Sequence, residues 1–359
     1  MVFFRYQCVL ALLMLGLFPG CLEEIKDDFD LDQEQSGEGE EEEPIYHDLT
    51  VSTQGDGTVA TVLVSGEVVA GQYLSGSVVE LTATAGEGLE FGGWQEGVKD
   101  VINPLTLTIT NDLETTAVFF SGESCVDSEM SDVFGSLSVE TTHPIGAKDH
   151  GCMVVKAEDG FPVVDGDSSA RFEVRPGDCS GNDGFNDCEH DRSRHELNEI
   201  NLPEVDGSVV RYSTSIFLPE QSRLKPAGNN ILILGQINVS DTDVFTSLAY
   251  LMLSNLGKLF IRTHQDFSWT PANDYYVEGD PFGRWIKIDY EIGGSTTDGS
   301  LKFYADDVLL GTESRATLPS ANALIALRLG IYNAFLSDAT EEFQNQVIYM
   351  DGVTKTISE

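Results

Sequence analysis

Hydrophobic and polar residues alternate with a period of two through most of the chain from residue 46 onward, for example at 58–64, 77–84 and 258–264. Because successive side chains of a β-strand point to opposite faces, this pattern predicts half-buried strands. Long runs with helical spacing are absent from the sequence, and Gly, Thr, Ser and Val are frequent. The sequence therefore predicts an all-β protein.

The same alternation gathers charged side chains on one face of a strand at residues 192–196. Arg192, Arg194 and Glu196 share one face of this predicted strand, and His195 lies on the other. A guanidinium and a carboxylate on one strand face form a rigid anion-binding surface. On this stretch alone, a solvated strand face with a surface ion pair is the favoured explanation.

Two further runs place polar side chains on otherwise apolar strands. Gln236 and Asn238 share a face of a near-continuous apolar run, which indicates a central strand. Arg328, Gly330 and Tyr332 share a face of another run, where the glycine leaves room for something to approach the sheet. Buried polar groups need partners or a wet groove, so the three runs together predict a polar groove.

The charge of the chain restricts its partners. The 60 acidic and 20 basic residues give a net charge of −40, which argues against nucleic acid as a partner. A groove that concentrates arginine can still bind a polyanion, because the local potential governs binding. We assign to this groove, besides the arginines already named, a further set of basic residues: Arg171, Arg175, Lys258 and Arg262.

The first 45 residues read as a targeting segment and a tether. Residues 8–17 form an apolar core that is too short to span a bilayer as a permanent helix. The segment Leu17-Phe-Pro-Gly-Cys21 resembles a bacterial lipobox, with Phe18 in place of the usual leucine. The resemblance implies a signal peptide over 1–21, lipidation of Cys21 and an outer-membrane lipoprotein, with an ordinary cleaved signal peptide as the alternative. The acidic run at 22–45 cannot bury a core and predicts a disordered linker.

Four cysteines remain beyond this segment. An exported protein matures where disulfides form. Of the three pairings that four cysteines allow, Cys125 with Cys152 and Cys179 with Cys188 is favoured, because each bond closes a local loop. Zinc ligation by these cysteines is the weaker alternative, since the sequence contains no Cys-x-x-Cys spacing.

Residues 46–121 read as a small β domain. Gly76 precedes a strand, and Gly86-Glu-Gly88, Phe91-Gly-Gly-Trp94, Asn103-Pro104 and Thr-Ala-Val-Phe at 116–119 follow in order. This order is similar to the divergent internalin-B-type repeat domain of bacterial surface proteins. The resemblance implies a spacer or a weak adhesion module. Trp94 is expected to pack the core of this domain, and a sugar-stacking platform is the alternative.

Residues 122–359 are sufficient for one large sandwich or jelly roll. Arg194-His-Glu-Leu197, Gln236-Ile-Asn238 and Arg328-Leu-Gly-Ile-Tyr-Asn333 resemble, in this order, motifs of the jelly-roll polysaccharide lyases, including alginate lyases. Ala-Arg-Phe-Glu at 170–173, Gly-Arg-Trp at 283–285 and Tyr-x-Asp-x-Val at 349–353 are similar to the heparin-lyase and glucuronan-lyase branch. The resemblance covers about 140–357 and implies a jelly roll that cleaves a uronic-acid polysaccharide by β-elimination.

The resemblance also implies a role for each motif. Elimination removes the C5 proton of a uronic acid and expels the 4-O-linked sugar, so the carboxylate must be neutralised and the developing enolate stabilised. Arg194 and Gln236 are expected to do this. Tyr332 is expected to give a proton to the leaving oxygen, with Arg328 favouring its phenolate form.

Asn238 stands where many relatives have a histidine, and an amide cannot act as the base. Two sources of the base therefore stay open. Tyr332 serves as both base and acid, with Asn238 as a further carboxylate ligand, or His264 on the face of Lys258 and Arg262 is the base. His195 points away from Arg194 and is expected to be structural, and His190 at the groove rim is a weaker candidate.

The resemblance leaves several alternatives. A non-catalytic surface carbohydrate-binding protein of the same fold is the alternative function, and a glycoside hydrolase ranks last because no convincing strand presents paired carboxylates. No metal or other cofactor is expected. Structural calcium at the aspartates 178, 183, 187 and 191 is a minor alternative, because their spacing matches no fixed calcium loop. The expected protein is a monomer acting on an anionic polysaccharide such as alginate, glucuronan, ulvan or a heparin-like chain.

Overall fold

A computed structural model describes residues 43–126, 131–135, 137–220, 231–242, 244–338 and 344–359. The predicted signal peptide, the lipidation site Cys21 and nearly all of the acidic linker lie outside the described residues. None of the helices formed by the described residues is long and apolar enough to cross a bilayer. Residues 44–359 form one compact unit.

The first nine strands form three small sheets, ordered β1-β5-β4, β2-β9-β7 and β3-β6-β8. Their bounds are β1 Tyr46–His47, β2 Leu49–Gln54, β3 Gly57–Ser65, β4 Val68–Val69, β5 Gln72–Leu74, β6 Ser77–Ala85, β7 Glu90–Gln95, β8 Leu105–Ile109 and β9 Leu113–Phe120. Trp94 is buried in the apolar core of this region, and its indole N–H donates to the carbonyl of Ile102 at 2.8 Å. This tryptophan therefore packs the small core, as the sequence predicts.

Seventeen further strands of the described residues build the large region. Their bounds are β10 Glu123–Ser124, β11 Ser138–Thr141, β12 Cys152–Lys156, β13 Ser168–Val174, β14 Gly181–Asn182, β15 Phe185–Asn186, β16 Arg192–Ile200, β17 Val209–Phe217, β18 Ile231–Ser240, β19 Phe245–Leu253, β20 Leu259–His264, β21 Pro271–Tyr276, β22 Trp285–Gly293, β23 Ser300–Ala305, β24 Val308–Ser314, β25 Leu324–Ala334 and β26 Gln346–Ser358. One short helix, α1 Ser131–Phe134, and the 3-10 turns Asp149–Gly151, Ala157–Asp159, Cys188–His190 and Leu336–Asp338 lie between them.

Two antiparallel sheets carry the architecture of this region. The eight-stranded sheet has the order β10-β12-β13-β26-β17-β22-β23-β24, and the seven-stranded sheet has the order β11-β16-β25-β18-β19-β20-β21. Alternate residues of both sheets meet in one buried apolar cluster, for example Phe172 and Tyr212 from the first with Leu234 and Ile261 from the second. Each such side chain contributes roughly 1.5–3 kcal/mol through burial. The predicted all-β jelly-roll sandwich is confirmed.

Both predicted disulfides are present. Cys125 is bonded to Cys152 and Cys179 to Cys188, each with a Cα–Cα distance of 5.4 Å. The first bond ties the chain before β11 to β12. The second closes the loop between β13 and β16, which contributes residues to the site described below.

Strand β13 attaches the large region to the small one. Phe172 faces the sandwich core. Arg171 lies on the opposite face of the strand, where neighbouring residues bury it and it pairs with Glu173 at 2.6 Å. Arg175 bridges Glu173 at 2.8 Å and Glu90 of the small region at 2.9 Å. The assignment of Arg171 and Arg175 to a substrate groove is thus corrected. Alternation identifies their face, but they belong to the eight-stranded sheet and form part of an interface.

Candidate active site

Two rows of side chains cross the outer face of the seven-stranded sheet, because neighbouring strands hold them in register. The first row follows the pairing of β16, β25, β18, β19, β20 and β21 and contains Asn198, Arg328, Gln236, Tyr250, Arg262 and Asp274. The second row follows the same strands and contains Arg194, Tyr332, Ile233, Met252, Phe260 and Tyr276. The three sequence motifs, which lie far apart in the chain, therefore meet on one surface.

A register shift in β18 aims Gln236 at this surface. Ile233 and Gln236 both face outward although they are three residues apart, while Leu234 and Ile237 face the core. A regular strand would turn Gln236 into the core, so the irregularity re-aims its amide. The amide nitrogen donates to Glu196 Oε1 at 2.5 Å.

Arg194 is buried and its charge is already matched. Its Nε and Nη2 donate to Asp187 Oδ1 at 2.9 and 2.7 Å, and its Nη1 lies 3.4 Å from Glu196 Oε2. Its guanidinium carbon also lies 3.9 Å from the ring centroid of Tyr332. The expectation that Arg194 neutralises the substrate carboxylate is corrected, because this group is fixed by two carboxylates and supports the Tyr332 ring.

The phenol of Tyr332 is held by a second guanidinium. Arg192 Nε donates to Tyr332 Oη at 2.9 Å, and Arg192 Nη1 donates to the carbonyls of His190 and Asp191 at 3.0 and 3.1 Å. Its guanidinium also lies over Phe335, 4.4 Å from the ring centroid. A cationic donor at a phenol oxygen stabilises negative charge on that oxygen. The arrangement fits a group that both loses and regains a proton.

Arg328 carries an unmatched charge beside this phenol. Its Nε donates to Asn198 Oδ1 at 2.9 Å, and among the described residues no carboxylate pairs with it. Burial lowers the pKa of Arg328 most, Glu196 raises it and Arg194 lowers it again. A guanidinium stays protonated in proteins nonetheless. Arg328 is thus positioned to take a carboxylate from outside.

Asn238 has an unused donor. Its Oδ1 accepts a hydrogen bond from the Ser247 hydroxyl, while its buried Nδ2 has no hydrogen-bond partner among the described residues. Buried polar atoms are nearly always paired, so an orphan of this kind calls for an explanation. Asn238 is 2% exposed, so a substrate oxygen reaches this donor only if a covering side chain moves.

His264 lies next to the position of Asn238. Its Nδ1 is 3.2 Å from the carbonyl of Ser247, so that nitrogen carries the proton and Nε2 holds the lone pair of the neutral ring. Burial lowers the pKa of His264, and the bond to Ser247 offsets this only in part. The ring packs edge-on against Tyr250 at 4.6 Å. The alternative base named from the sequence therefore adjoins the site and is neutral near pH 7.

Two further residues of this surface carried no recognisable sequence signal. Burial raises the pKa of Tyr250, which lies in the first row, but in the sequence this tyrosine belongs to the apolar run of residues 248–253. His143 follows β11, and burial first and Arg194 second lower the pKa of its imidazole to about 4. Its Nδ1 lies 3.0 Å from the Thr142 hydroxyl. A lone histidine in a loop cannot be assigned to a surface by periodicity.

Other predicted groove residues have different surroundings. Arg262 lies in the first row, but Asp274 matches its charge through two hydrogen bonds of 2.7 Å. Lys258 is exposed at the turn before β20. His190 Nδ1 donates to the carbonyl oxygen of Asn186 at 2.8 Å, and the imidazole stacks on Phe185, beside the site.

The next residues are His195, on the other face of β16, and the aspartates named as calcium ligands in the minor alternative. His195 faces away from Arg194, as predicted, and contacts Asp178. Asp187 pairs with Arg194, and Asp191 accepts from Ser337 at 2.7 and 2.8 Å. Asp178, Asp187 and Asp191 therefore each contact a different side chain of the protein.

Comparisons with known protein families identify both regions of the chain. Residues 156–354 match the family model described as polysaccharide lyase, and residues 47–123 match the model described as divergent InlB B-repeat domain. No curated protein matches the chain.

Solved structures with similar folds include three lyases. An endo-β-1,4-glucuronan lyase from the fungus Trichoderma reesei is 14% identical, with 65% of this chain and 92% of that chain covered and a TM-score of 0.42. An alginate lyase from a Chlorella virus is 10% identical, covering 62% and 93%, with a TM-score of 0.38. A marine alginate lyase from Zobellia galactanivorans is 11% identical, covering 59% and 82%, with a TM-score of 0.40.

These structural likenesses are too weak to indicate a substrate. The family match is different in kind, because it spans more than half of the chain and includes the strands that carry Arg194, Gln236, Arg328 and Tyr332. The chain belongs to the polysaccharide lyase family.

Proposed function

We propose that the protein cleaves a uronic-acid-containing polysaccharide by β-elimination, with Tyr332 as the proton-transfer group and Arg328 as the carboxylate ligand. The observation that carries this proposal is the pairing of an unmatched guanidinium with a cation-capped phenol on one sheet face. Arg328 replaces Arg194 in the role expected from the sequence. Tyr332 is half-buried and accessible, whereas His264 is covered.

During the reaction, negative charge develops next to the guanidinium groups of Arg328 and Arg192. Arg328 binds the uronate carboxylate, which makes the C5 proton more acidic. Tyr332 acts as a phenolate paired with the Arg192 guanidinium and takes that proton, and the electron pair of the C5–H bond forms a C4–C5 double bond. The C4–O4 bond breaks, and the phenol of Tyr332 gives the proton to the leaving oxygen, which restores the phenolate.

The remaining polar residues act by positioning. Arg192 holds the phenol oxygen at 2.9 Å, and Arg194 supports the ring from below at 3.9 Å. Glu196 accepts from both Arg194 and Gln236 and so links the motifs of β16 and β18. Fixed dipoles and charges of this kind need no reorganisation during the reaction.

The substrate class follows from the same arrangement. One unmatched guanidinium beside a proton-transfer group suits any polymer with a 4-O-linked uronate, so alginate, glucuronan, ulvan and heparin-like chains are all substrates to test. The sequence-based expectation of a lipidated Cys21 adds that the enzyme acts at the cell envelope, as an outer-membrane lipoprotein that meets the polymer there. Both points belong to the proposal.

The test is the near-ultraviolet absorbance of the unsaturated uronate product. The purified protein is incubated with alginate, polyglucuronate, ulvan and heparin separately. We expect a rise in absorbance with at least one polymer and a loss of about 10²–10⁴-fold in rate for Tyr332→Phe. The His264→Gln variant separates the two sources of the base, and we expect it to keep most of the activity.

Two results would contradict the proposal. Full activity in Tyr332→Phe together with inactivity in His264→Gln would assign the proton transfer to the histidine. Absence of product from every polymer, with retarded migration in a polymer-containing gel, would favour the carbohydrate-binding alternative of the same fold.

A further inference from the structure

We propose that His150, Asp178 and His195 form a binding site for a zinc-like transition-metal ion behind strand β16. The three side chains are buried and come from separate segments, the 3-10 turn Asp149–Gly151, the loop after β13, and β16 itself. His195 points to the side of β16 opposite Arg194 and Glu196. The site is therefore distinct from the proposed lyase chemistry, which uses none of these residues.

The three ligand atoms already converge. His150 Nε2 lies 2.8 Å and His195 Nε2 lies 3.3 Å from the same oxygen, Asp178 Oδ2. All three potential ligand atoms lie within 4.8 Å of one another. Ligands bound at about 2.0–2.1 Å to a tetrahedral zinc ion stand about 3.3 Å apart. The His195–Asp178 spacing matches that value, and the His150–Asp178 spacing is about 0.5 Å shorter.

The surrounding chain fixes these ligands in place. The backbone N–H of Arg175 donates to Asp178 Oδ2 at 2.7 Å and orients the carboxylate. Cys179 follows Asp178 directly, and Cys152 follows the turn that carries His150, so each segment ends at a disulfide. Supporting bonds of this kind are what hold metal ligands in position.

Glycine at position 151 makes room for one of the ligands. A Cβ atom there would lie 2.3 Å from His195 Nδ1 and would displace the imidazole. The turn that provides His150 is thus shaped around the ring of His195. This close approach brings the two imidazoles to a ring-centroid distance of 5.7 Å.

A cleft reaches one of the three ligands. A cavity of about 280 Å³ is lined by His195, Gly151 and the Cys125–Cys152 disulfide, whereas His150 and Asp178 do not line it. An ion held by three protein ligands has one position left for water from this cleft. Two imidazoles with one carboxylate select zinc and related transition metals over calcium and magnesium, which prefer all-oxygen ligands.

The same residues can also form a hydrogen-bonded triad with both imidazoles donating to Asp178. The two states differ in proton content, because a metal ligand must present a lone pair at Nε2. The experiment distinguishes them by direct binding. Tag-free purified protein is dialysed against a chelator, then titrated with Zn²⁺ and, separately, with Co²⁺ as a spectroscopic probe.

We expect one equivalent of Zn²⁺ to bind and the thermal midpoint to rise with its concentration. Co²⁺ is expected to give the visible absorption of a tetrahedral site. His150→Gln should weaken binding by more than about 100-fold, because loss of a mere supporting residue already costs about 10–100-fold. His190→Gln, which changes an exposed histidine of the neighbouring loop, is the matched control and should bind like the parent.

Two outcomes would overturn the site. A folded parent protein that shows neither a Co²⁺ spectrum nor a Zn²⁺-dependent midpoint contains the hydrogen-bonded triad instead. Binding that persists unchanged in both His150→Gln and His195→Gln places the ion elsewhere. Because the parent is measured directly, the result does not depend on whether the variants fold, and it is independent of lyase activity.

Discussion

Arg328 and Arg262 occupy the same row of the sheet, yet their charges have different surroundings. Arg262 is tied to Asp274 by two hydrogen bonds of 2.7 Å, whereas Arg328 has an amide as its only hydrogen-bonded side-chain partner among the described residues. A paired guanidinium offers an incoming carboxylate little, because its own carboxylate competes for the same donors. The position of an arginine in the row therefore does not predict its function. What matters is whether a carboxylate of the protein already pairs with its guanidinium.

Replacement of each arginine by glutamine tests this difference. We expect Arg328→Gln to lower kcat/KM by about 10²–10³-fold, as for loss of one oriented donor at developing negative charge. Arg262→Gln is the matched control, since it lies in the same row, and should change kcat/KM by less than about threefold. Initial rates of unsaturated product formation on the best polymer provide the measurement.

The reverse order of effects would contradict the assignment of Arg328. A large loss in Arg262→Gln with little change in Arg328→Gln would mean that the substrate displaces Asp274 and binds at the far end of the row. Equal and large losses with reduced thermal midpoints would point to damage of the sheet. Thermal midpoints of both variants are therefore measured alongside the rates.

At the scale of the strand, Gly330 of β25 packs closely against the backbone of the neighbouring strand β16, so there is no open space beside it. Its φ is 141°, and a Cβ atom there would lie 2.2 Å from the carbonyl oxygen of His195 and 2.8 Å from the Cα of Glu196. The expectation that this glycine leaves space for a substrate is corrected, because the backbone of β16 fills that space. The close approach sets the distance between the strands that carry Arg194 and Tyr332.

Gly330→Ala should therefore destabilise the fold by about 2–4 kcal/mol, through backbone strain and a clash with rigid backbone atoms. Gly235→Ala is the matched control on the adjacent strand, where the nearest atom to a new Cβ lies at 3.6 Å. That contact is ordinary, so its free energy of unfolding should change by about 1 kcal/mol or less. Urea denaturation followed by fluorescence measures both, and equal stability of the two variants would refute the argument.

The strands and their faces could be predicted from the sequence, because the period of two is a local property. Arg192, Arg194, Gln236, Asn238, Arg328 and Tyr332 all reach the predicted surface. The sheet to which a strand belongs is not local, and for this reason Arg171 and Arg175 were assigned to the wrong surface. The partner that matches Arg194, Asp187, comes from a disulfide loop whose path periodicity does not describe.

The irregularities of the sheet could not be predicted from the sequence either. The register shift near Gly235 decides where Gln236 points, but glycine alone does not reveal a bulge. Asn238 is recognisable in the sequence as a polar residue in an otherwise apolar run. Its orphaned amide nitrogen could be found only once the neighbours from β19 were in place.

At the scale of the whole molecule, the small β region is attached to the sandwich rather than separated from it. Phe120 of the small region packs edge-on against Phe161 at 4.8 Å, within a buried cluster that also contains Val347 and Tyr349. The ion pairs of Arg175 lie beside this cluster. The interface uses residues of the eight-stranded sheet, whereas the candidate active site lies on the seven-stranded sheet, so the interface leaves the substrate surface free.

This interface predicts that the two regions unfold together. Phe161 is 5% exposed, and Phe161→Ala should cost about 3–5 kcal/mol by removing its contacts from both sides of the interface. We expect calorimetry to show one transition for the parent and two for this variant, with the small region melting first. Val164→Ala, in the same segment but half-exposed, is the control and should keep one transition. A single transition in Phe161→Ala, lowered but undivided, would mean that the remaining contacts, including Arg175 with Glu90, suffice to couple the two regions.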